Sequence, residues 1–329
     1  MKQILFRADA NPSIGTGDLM SFIHLAQRFM ERGWEAIFLI REYELGLGLI
    51  CQHFPDHFVT ISPQASVEEE VTAMNRLIDT RKIKAVFLQI NERPLAEYTG
   101  LSDRVFKACT CFEHHLPKGF NAVLSWNEDS SKFFDASKYP DTEFFLGPEY
   151  VILPKAYDLP ENMKRPKPGK PQRVLVSMGG ADHIDMTGKI AEKLSRLNPD
   201  LDLTFVLGKG YAHMKKLDKA LSASGFCYEI KQNVKNMLEE YLACDMAIGA
   251  GGLTASELVA SRTPALLSAC YEHQINRCRY FSDKGWARYL GYRNTEKLTH
   301  GALGFEPDHT HPFVPRISQV VDHIDGAVS

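Results

Sequence analysis

The chain holds two glycine-rich segments of a kind that lets backbone approach an anion. In IGAGGLTASE (248–257) the glycines at 249, 251 and 252 clear side chains from a turn. The helix expected next offers free N–H groups and a positive dipole end. Diphosphate binding is the chemistry this serves. A glycine turn needed only for tight packing would read the same way, but SMGGAD (177–182) repeats the pattern after another apolar run, with Gly179 and Gly180. Two such loops favour phosphate. Thr254 and Glu257 fit a T-x-x-E capping box, and Glu257 fits equally a carboxylate accepting two ribose hydroxyls. A third turn, SIGTGD (13–18), places Gly15 and Gly17 where a ligand could reach backbone amides. Asp18 falls where a helix N-cap is expected, and the alternative is a base or substrate-orienting carboxylate. His24 reads as a solvated surface histidine. In EHQINR (272–277), Glu272, His273, Gln274 and Asn276 gather polar side chains after a strand. They suit sugar or ribose recognition, or a polar loop capping the next helix. Glu113, His114 and His115 form either a catalytic group or a polar turn. No His/Cys/Asp spacing matches a metal site, and neither metal nor cofactor is expected.

The elements that must position these residues alternate along the whole chain. QILFRA (3–8), EAIFLI (35–40), KAVFLQI (84–90), KACTCF (107–112), AVLSW (122–126) and EFFLG (143–147) read as strands. A helix is expected from about Leu19 to Arg32, with Leu19, Phe22, Ile23, Ala26, Phe29 and Met30 on one apolar stripe. Nearly continuous apolar strands separated by helices predict parallel sheets covered on both faces. Residues 158–172 carry four prolines and four Lys or Arg, and read as a linker. The grammar then restarts with RVLVSMGG (173–180), LTFVLG (203–208), MAIGAGG (246–252) and PALLSA (264–269). Three of these strands run into glycine, so ligand-binding loops cluster at carboxyl ends. The predicted divisions are 1–157, a linker 158–172, a second domain 173–300, and a tail 301–329 with a helix near Ile317–Ile324.

Composition narrows the classes. The 329 residues suit two cores. A net charge of −3 argues against a general nucleic-acid or membrane-surface binder. No run approaches the roughly 18 to 20 apolar residues of a membrane span. The start reads as a first strand, and the 7 scattered cysteines fit reduced thiols, so a cytoplasmic protein is expected. Cys109 and Cys111 alternate along a strand, which argues against a shared metal.

In order, FRADANPSIGTGDLMSFIHLA (6–26), SMGGAD, GPEYVILPKAY (147–157), IGAGGLTASE and YEHQINR (271–277) resemble a known family. It is the nucleotide-sugar hydrolase of pseudaminic acid biosynthesis with its spore-coat polysaccharide relatives, itself similar to GT-B UDP-glycosyltransferases. The resemblance implies a GT-B-like α/β protein whose two Rossmann-like domains face a cleft holding a UDP-sugar. By position, Gly251, Gly252, Leu253, Thr254 and Glu257 would contact phosphate and ribose, Gly179 and Gly180 would flank the diphosphate, and Gln274 would face sugar or phosphate. The implied reaction is attack of water on the anomeric carbon, releasing UDP and a free 2,4-diacetamido-trideoxy sugar for surface or flagellar glycan synthesis. Two alternatives stand beside it: a GT-B glycosyltransferase, and a non-catalytic nucleotide-sugar binder.

Two departures carry weight. The family's Gly-x-Gly-His ends here in Asp18, and its Asp-containing second motif is Gln89-Ile90-Asn91-Glu92. Aspartate near 3.9 is a weaker base than histidine near 6.5, by roughly two to three units. A carboxylate base is common in glycosyl transfer to a hydroxyl, whose proton is lost late. Asp18 therefore shifts weight from hydrolysis towards transfer.

Overall fold

The computed structural model describes residues 1–90, 93–112, 116, 118–163, 165, 171–197, 201–222, 225, 227–232 and 234–328. Asn91, Glu92, Glu113, His114 and His115 lie outside the described residues, as do 164 and 166–170 of the Pro/Lys-rich stretch.

Alternation along short apolar strands gives each sheet two faces to cover. The first unit comprises Met1–Lys155 and Pro315–Ser329. Its strands are β1 (Lys2–Arg7), β2 (Trp34–Arg41), β3 (Phe58–Ile61), β4 (Ala85–Leu88), β5 (Phe106–Thr110), β6 (Ala122–Ser125) and β7 (Glu143–Leu146). They form one sheet in the order β3-β2-β1-β4-β5-β6-β7, and every pairing is parallel. The helices α1 (Gly17–Glu31), α2 (Glu44–His53) and α3 (Val67–Arg81) cross between the early strands. Leu5, Leu39, Val86 and Leu88 share a cluster with Val71, Met74 and Ile78 of α3. Their neighbours Phe6, Phe38 and Phe87 point the other way, in register with one another. Phe6 stacks on Phe38 with ring centroids 5.3 Å apart and meets Phe22 of α1 edge-on at 5.4 Å. Such ring pairs contribute about 0.5–1.5 kcal/mol beyond the area they bury.

The second unit, Ala156–Val314, repeats the plan. Its elements are β8 (Arg173–Ser177), α4 (Met186–Leu197), β9 (Asp202–Leu207), α5 (Met214–Ser222), β10 (Cys227–Gln232), α6 (Met237–Ala243), β11 (Met246–Ala250), α7 (Leu253–Ala260), β12 (Ala265–Ala269), α8 (Ile275–Asp283), β13 (Arg288–Tyr292) and the single turn α9 (His300–Leu303). The parallel sheet runs β10-β9-β8-β11-β12-β13. Val174, Val176, Phe205, Ile248 and Leu266 pack with Ile190 and Leu194 of α4 in its core. Both units therefore have the strand order of a Rossmann fold.

Several expectations change. Helix α10 (Ile317–Ala327) belongs to the first unit, not to a separate tail: Asp325 accepts from Lys2 Nζ at 2.9 Å and from Trp34 Nε1 at 2.7 Å. The chain passes between units after Lys155. Within the expected linker, Arg165 is tied to the second unit, donating to the carbonyls of Tyr241 (2.7 Å) and Cys244 (2.5 Å) at the end of α6. Met30 is 47% exposed, off the buried face of α1, where Leu25 packs instead. His24 is half-buried rather than solvated, and burial lowers its pKa. Strands β3, β10 and β13 were not expected. Among the described residues no helix is long and apolar enough to cross a membrane.

Candidate functional site

In the second unit, β8 and β11 are neighbours whose connections lead to opposite sides of the sheet, so the loops after them diverge. Ligands of open α/β sheets bind in such crevices. The loop after β11 leads into α7, whose N-cap is Gly252, with no side-chain cap. The first-turn amides at Gly252, Leu253 and Thr254 are thus uncovered by any capping side chain, and the dipole favours an anion there. The T-x-x-E capping box does not form.

The neighbouring glycines serve packing. A side chain at Gly249 would drive into Leu258 and Thr254, and one at Gly251 into Cys278 and Gln274 of the following elements. The Gly251 amide is spent on the Ser268 carbonyl at 3.1 Å. Gly251 therefore provides room for α8, and its amide is not available to a ligand.

Gln274 is buried, and its Oε1 accepts from the amides of Cys270 (2.9 Å) and Tyr271 (3.4 Å). That fixes its orientation and turns Nε2 towards Gly252, where an added Cβ would lie 3.4 Å away. A side-chain donor thus sits beside the uncapped helix end. Asn276 is exposed within α8. Arg293, after β13, donates Nε to the Cys270 carbonyl at 3.0 Å, bringing a cation to the same strand ends. No local pattern in the sequence marked it.

Glu257, one turn into α7, is half-buried, and Tyr241 of α6 donates its hydroxyl to Oε2 at 3.1 Å. Burial raises the Glu257 pKa to about 6 against that hydrogen bond. Tyr157 is charge-coupled to Glu257, and its own hydroxyl is buried without a partner. Burial and the carboxylate push its pKa up.

The SMGGAD loop differs from what its spelling implies. Asp182, in left-handed backbone at φ 43°, accepts from the amides of Met186 and Thr187, both at 2.8 Å. Asp185 accepts from Gly188 N at 3.2 Å, Tyr211 Oη at 2.9 Å and Lys216 Nζ at 2.7 Å. The N-terminus of α4 already carries two carboxylates and is closed to a phosphate. Gly179 takes φ 83° in open space, and the Gly180 carbonyl accepts from Gly210 at 3.0 Å. These glycines shape a loop edge and do not expose a helix end.

In the first unit the equivalent crevice lies between β1 and β4. Gly15 stands at φ 77° and donates its amide to the Asn11 carbonyl at 2.8 Å, while Asn11 Oδ1 takes the amides of Ser13 (2.8 Å) and Ile14 (3.0 Å). The turn thus uses the amides of Ser13, Ile14 and Gly15, while the N-terminus of α1, like that of α7, has no side-chain cap. The N-cap of α1 is Thr16; Gly17 opens the helix, and Asp18 lies in its first turn. Asp18 is not the cap, and Gln89 Nε2 donates to its Oδ1 at 2.5 Å.

Behind this pair lies a buried ion cluster that sequence reading missed. Arg7 (1% exposed) donates Nε to Glu70 at 2.6 Å and Nη2 to Asp9 at 2.7 Å. Arg41 Nη2 reaches the other Glu70 oxygen at 2.8 Å, its amide reaches Asp9 at 2.7 Å, and Tyr98 Oη donates to Glu70 at 2.8 Å. Burial alone would raise the pKa of Glu70, but Arg7, Tyr98 and Arg41 hold it below the usual value. Arg7, Asp9, Asp18, Arg41, Gln89 and Arg93 line a cavity of about 10 Å³. Among the described residues no group of three or more His, Cys, Asp or Glu could hold a metal.

No protein-family profile matches the chain. An uncharacterized protein, MJ1062, of Methanocaldococcus jannaschii is 27% identical over 161 residues, covering 48% of this chain and 32% of that protein. The spore coat polysaccharide biosynthesis protein SpsG of Bacillus subtilis is 26% identical over 123 residues, 36% of each chain. The chain thus spans about a third of the length of these curated relatives. Among solved structures, MurG of Acinetobacter baumannii superposes with a TM-score of 0.70 at 13% identity, covering 99% of this chain and 100% of that one. The UDP complex of S. aureus MnaA gives 0.63 at 12% identity over 100% and 97% of the two chains. A glycosyltransferase of Rickettsia africae gives 0.56 at 12% over 98% and 93%. The fold is that of GT-B proteins, with two Rossmann-like parallel sheets.

Proposed function

We propose that the chain is a GT-B glycosyltransferase that takes a sugar from a UDP-sugar and passes it to an acceptor hydroxyl in polysaccharide synthesis. One observation carries the reading: equivalent switch points hold complementary equipment, an uncapped helix end in the second unit and an oriented carboxylate in the first. The α7 amides with Gln274 Nε2 hold the diphosphate, and the Glu257 carboxylate accepts ribose hydroxyls. As the new bond forms at the anomeric carbon, Asp18 takes the acceptor proton and the bond to UDP breaks with its electron pair leaving on the diphosphate. The α7 dipole stabilises that growing charge. The fold shared with a glycosyltransferase, with MurG and with a UDP complex supports this reading, as does the partial likeness to a polysaccharide biosynthesis protein.

Hydrolysis is the second reading, favoured by a motif order that resembles that of nucleotide-sugar hydrolases. Its implied substrate is a UDP-linked diacetamido-trideoxy sugar. The test incubates the protein with UDP- and CMP-linked sugars, with and without cell extract, and measures nucleotide release. Release that depends on extract supports transfer. Release at full rate in water alone overturns it in favour of hydrolysis, and UDP binding without any turnover assigns a non-catalytic binder.

A further inference from the structure

Gln89 lies one residue past β4 and is 2% exposed. Its backbone amide is bonded to the Arg7 carbonyl at 2.9 Å, which ties the root of its side chain to β1. Its Nε2 donates to Asp18, and charge fixes that orientation: turned over, the amide would face its oxygen to a carboxylate. The other end, Oε1, is buried and receives no hydrogen bond. Arg7 Nη1 is also buried without a partner, its Nε and Nη2 being held by Glu70 and Asp9. This orphan acceptor and orphan donor belong to residues lining the same cavity of about 10 Å³. That volume suits about one water molecule, which can accept from a guanidinium and donate to an amide carbonyl.

We propose that Gln89 is the positioning residue of Asp18, holding one carboxylate oxygen while a single water links its own carbonyl to Arg7. The buried cluster of Glu70, Asp9, Arg41 and Arg7 then sets the direction of the base through Gln89. An amide donor also favours the ionised carboxylate. The charged and titratable groups around Asp18 come from several elements: Arg7 and Asp9 from the end of β1, Arg41 from β2, and Arg93 and Tyr98 beyond β4. On α1 itself His24 follows further along. The inference rests on the proposed function only in treating Asp18 as the base.

The test uses the full chain with Gln89→Leu, similar in volume, and Gln89→Glu, with Gln89→Met should the leucine variant fail to fold. The Asp18 carboxyl is titrated by carbon-13 NMR, assigned through Asp18→Asn, beside the pH profile of UDP release. Gln89→Leu is expected to move the Asp18 titration and the acidic limb of kcat up by about one pH unit. It should also lower kcat at neutral pH by about 10- to 100-fold with KM nearly unchanged. Gln89→Glu should move the titration further, through like charge. An Asp18 titration unchanged in every variant overturns the proposal. A titration that moves while the kinetic limb stays supports the positioning and removes Asp18 as base. If no sugar nucleotide turns over, the proposed function falls and the NMR titration still decides Gln89. A high-resolution crystal structure with no water peak between Arg7 and Gln89 overturns the water link.

Discussion

In both units the first and fourth strands end side by side, at Arg7 and Leu88 in one sheet and at Ser177 and Ala250 in the other. The chain then treats the two crevices in opposite ways. The first-unit crevice is filled with paired charge: two arginines and two carboxylates closed over a cavity of about 10 Å³. The second-unit crevice has glycine at the root of α7, whose amides have no side-chain cap, with Arg293 and Glu257 set beside it rather than packed into ion pairs. A crevice full of fixed ion pairs can aim a side chain but has no room for a diphosphate. One lined by uncapped amides has room and dipole for an anion. The same strand order thus carries two differently equipped crevices.

The largest test of this division is Asp18→Asn. Turnover should fall by about 10²–10⁴-fold, as for loss of a general base, while UDP affinity measured by calorimetry stays within about twofold. A parallel loss of UDP affinity would erase the division of labour. Next comes Glu70→Gln, which leaves Arg7 and Arg41 short of a buried carboxylate. Breaking such a cluster costs about 3–5 kcal/mol, read as a lower denaturation midpoint at neutral pH. A cost under about 1 kcal/mol would show the cluster to be dispensable.

Gly252→Asp places a carboxylate at the uncapped end of α7, where φ is −82° and the nearest neighbour of a new Cβ is 3.4 Å away. The helix should gain at most a few tenths of a kcal/mol, since glycine is itself a tolerated N-cap, while UDP binding weakens by about 100-fold, because the cap occupies the amides and repels phosphate. Equal UDP binding would place the anion elsewhere.

Glu257→Gln gives the smallest effect, and its sign is informative. The folded pKa, about 6, lies above the ordinary glutamate value of 4.5. Stability from the protonated carboxyl is therefore full below about 4.5 and is lost as pH rises through 6. At pH 7.5 the variant should be more stable, by at most about 2 kcal/mol, and should lose this pH dependence. UDP should bind roughly tenfold more weakly to it. In the wild type, UDP affinity should rise with pH through 6.

Local spelling revealed the strands that run into glycine, because their apolar residues are continuous and their ends demand small residues. It hid β3, β10 and β13, whose side chains are largely half-buried or exposed and leave no such run. It misdirected where a short pattern matched a cap. Asp18, Thr254 and Glu257 all fit capping motifs, yet Asp18 is bonded to a residue 71 positions away and Glu257 to Tyr241 across the turn of another helix. Asp182 did the reverse, closing a helix end that two glycines had made look open. The ion cluster could not be read at all, since Arg7 and Glu70 stand 63 positions apart.

The return of α10 to the first unit bears on the order in which the protein can assemble during synthesis. Residues 156–314 are continuous, so everything the second unit needs has been made before the final helix exists. The first unit waits for its closing piece, in which Asp325 ties to Lys2 and Trp34, and Arg28 donates to Ser318 at 3.1 Å. Domains made on a ribosome usually fold from the amino terminus onward. Here the later-encoded unit is the first with a full set of residues, and the unit that opens the chain is the last to be finished.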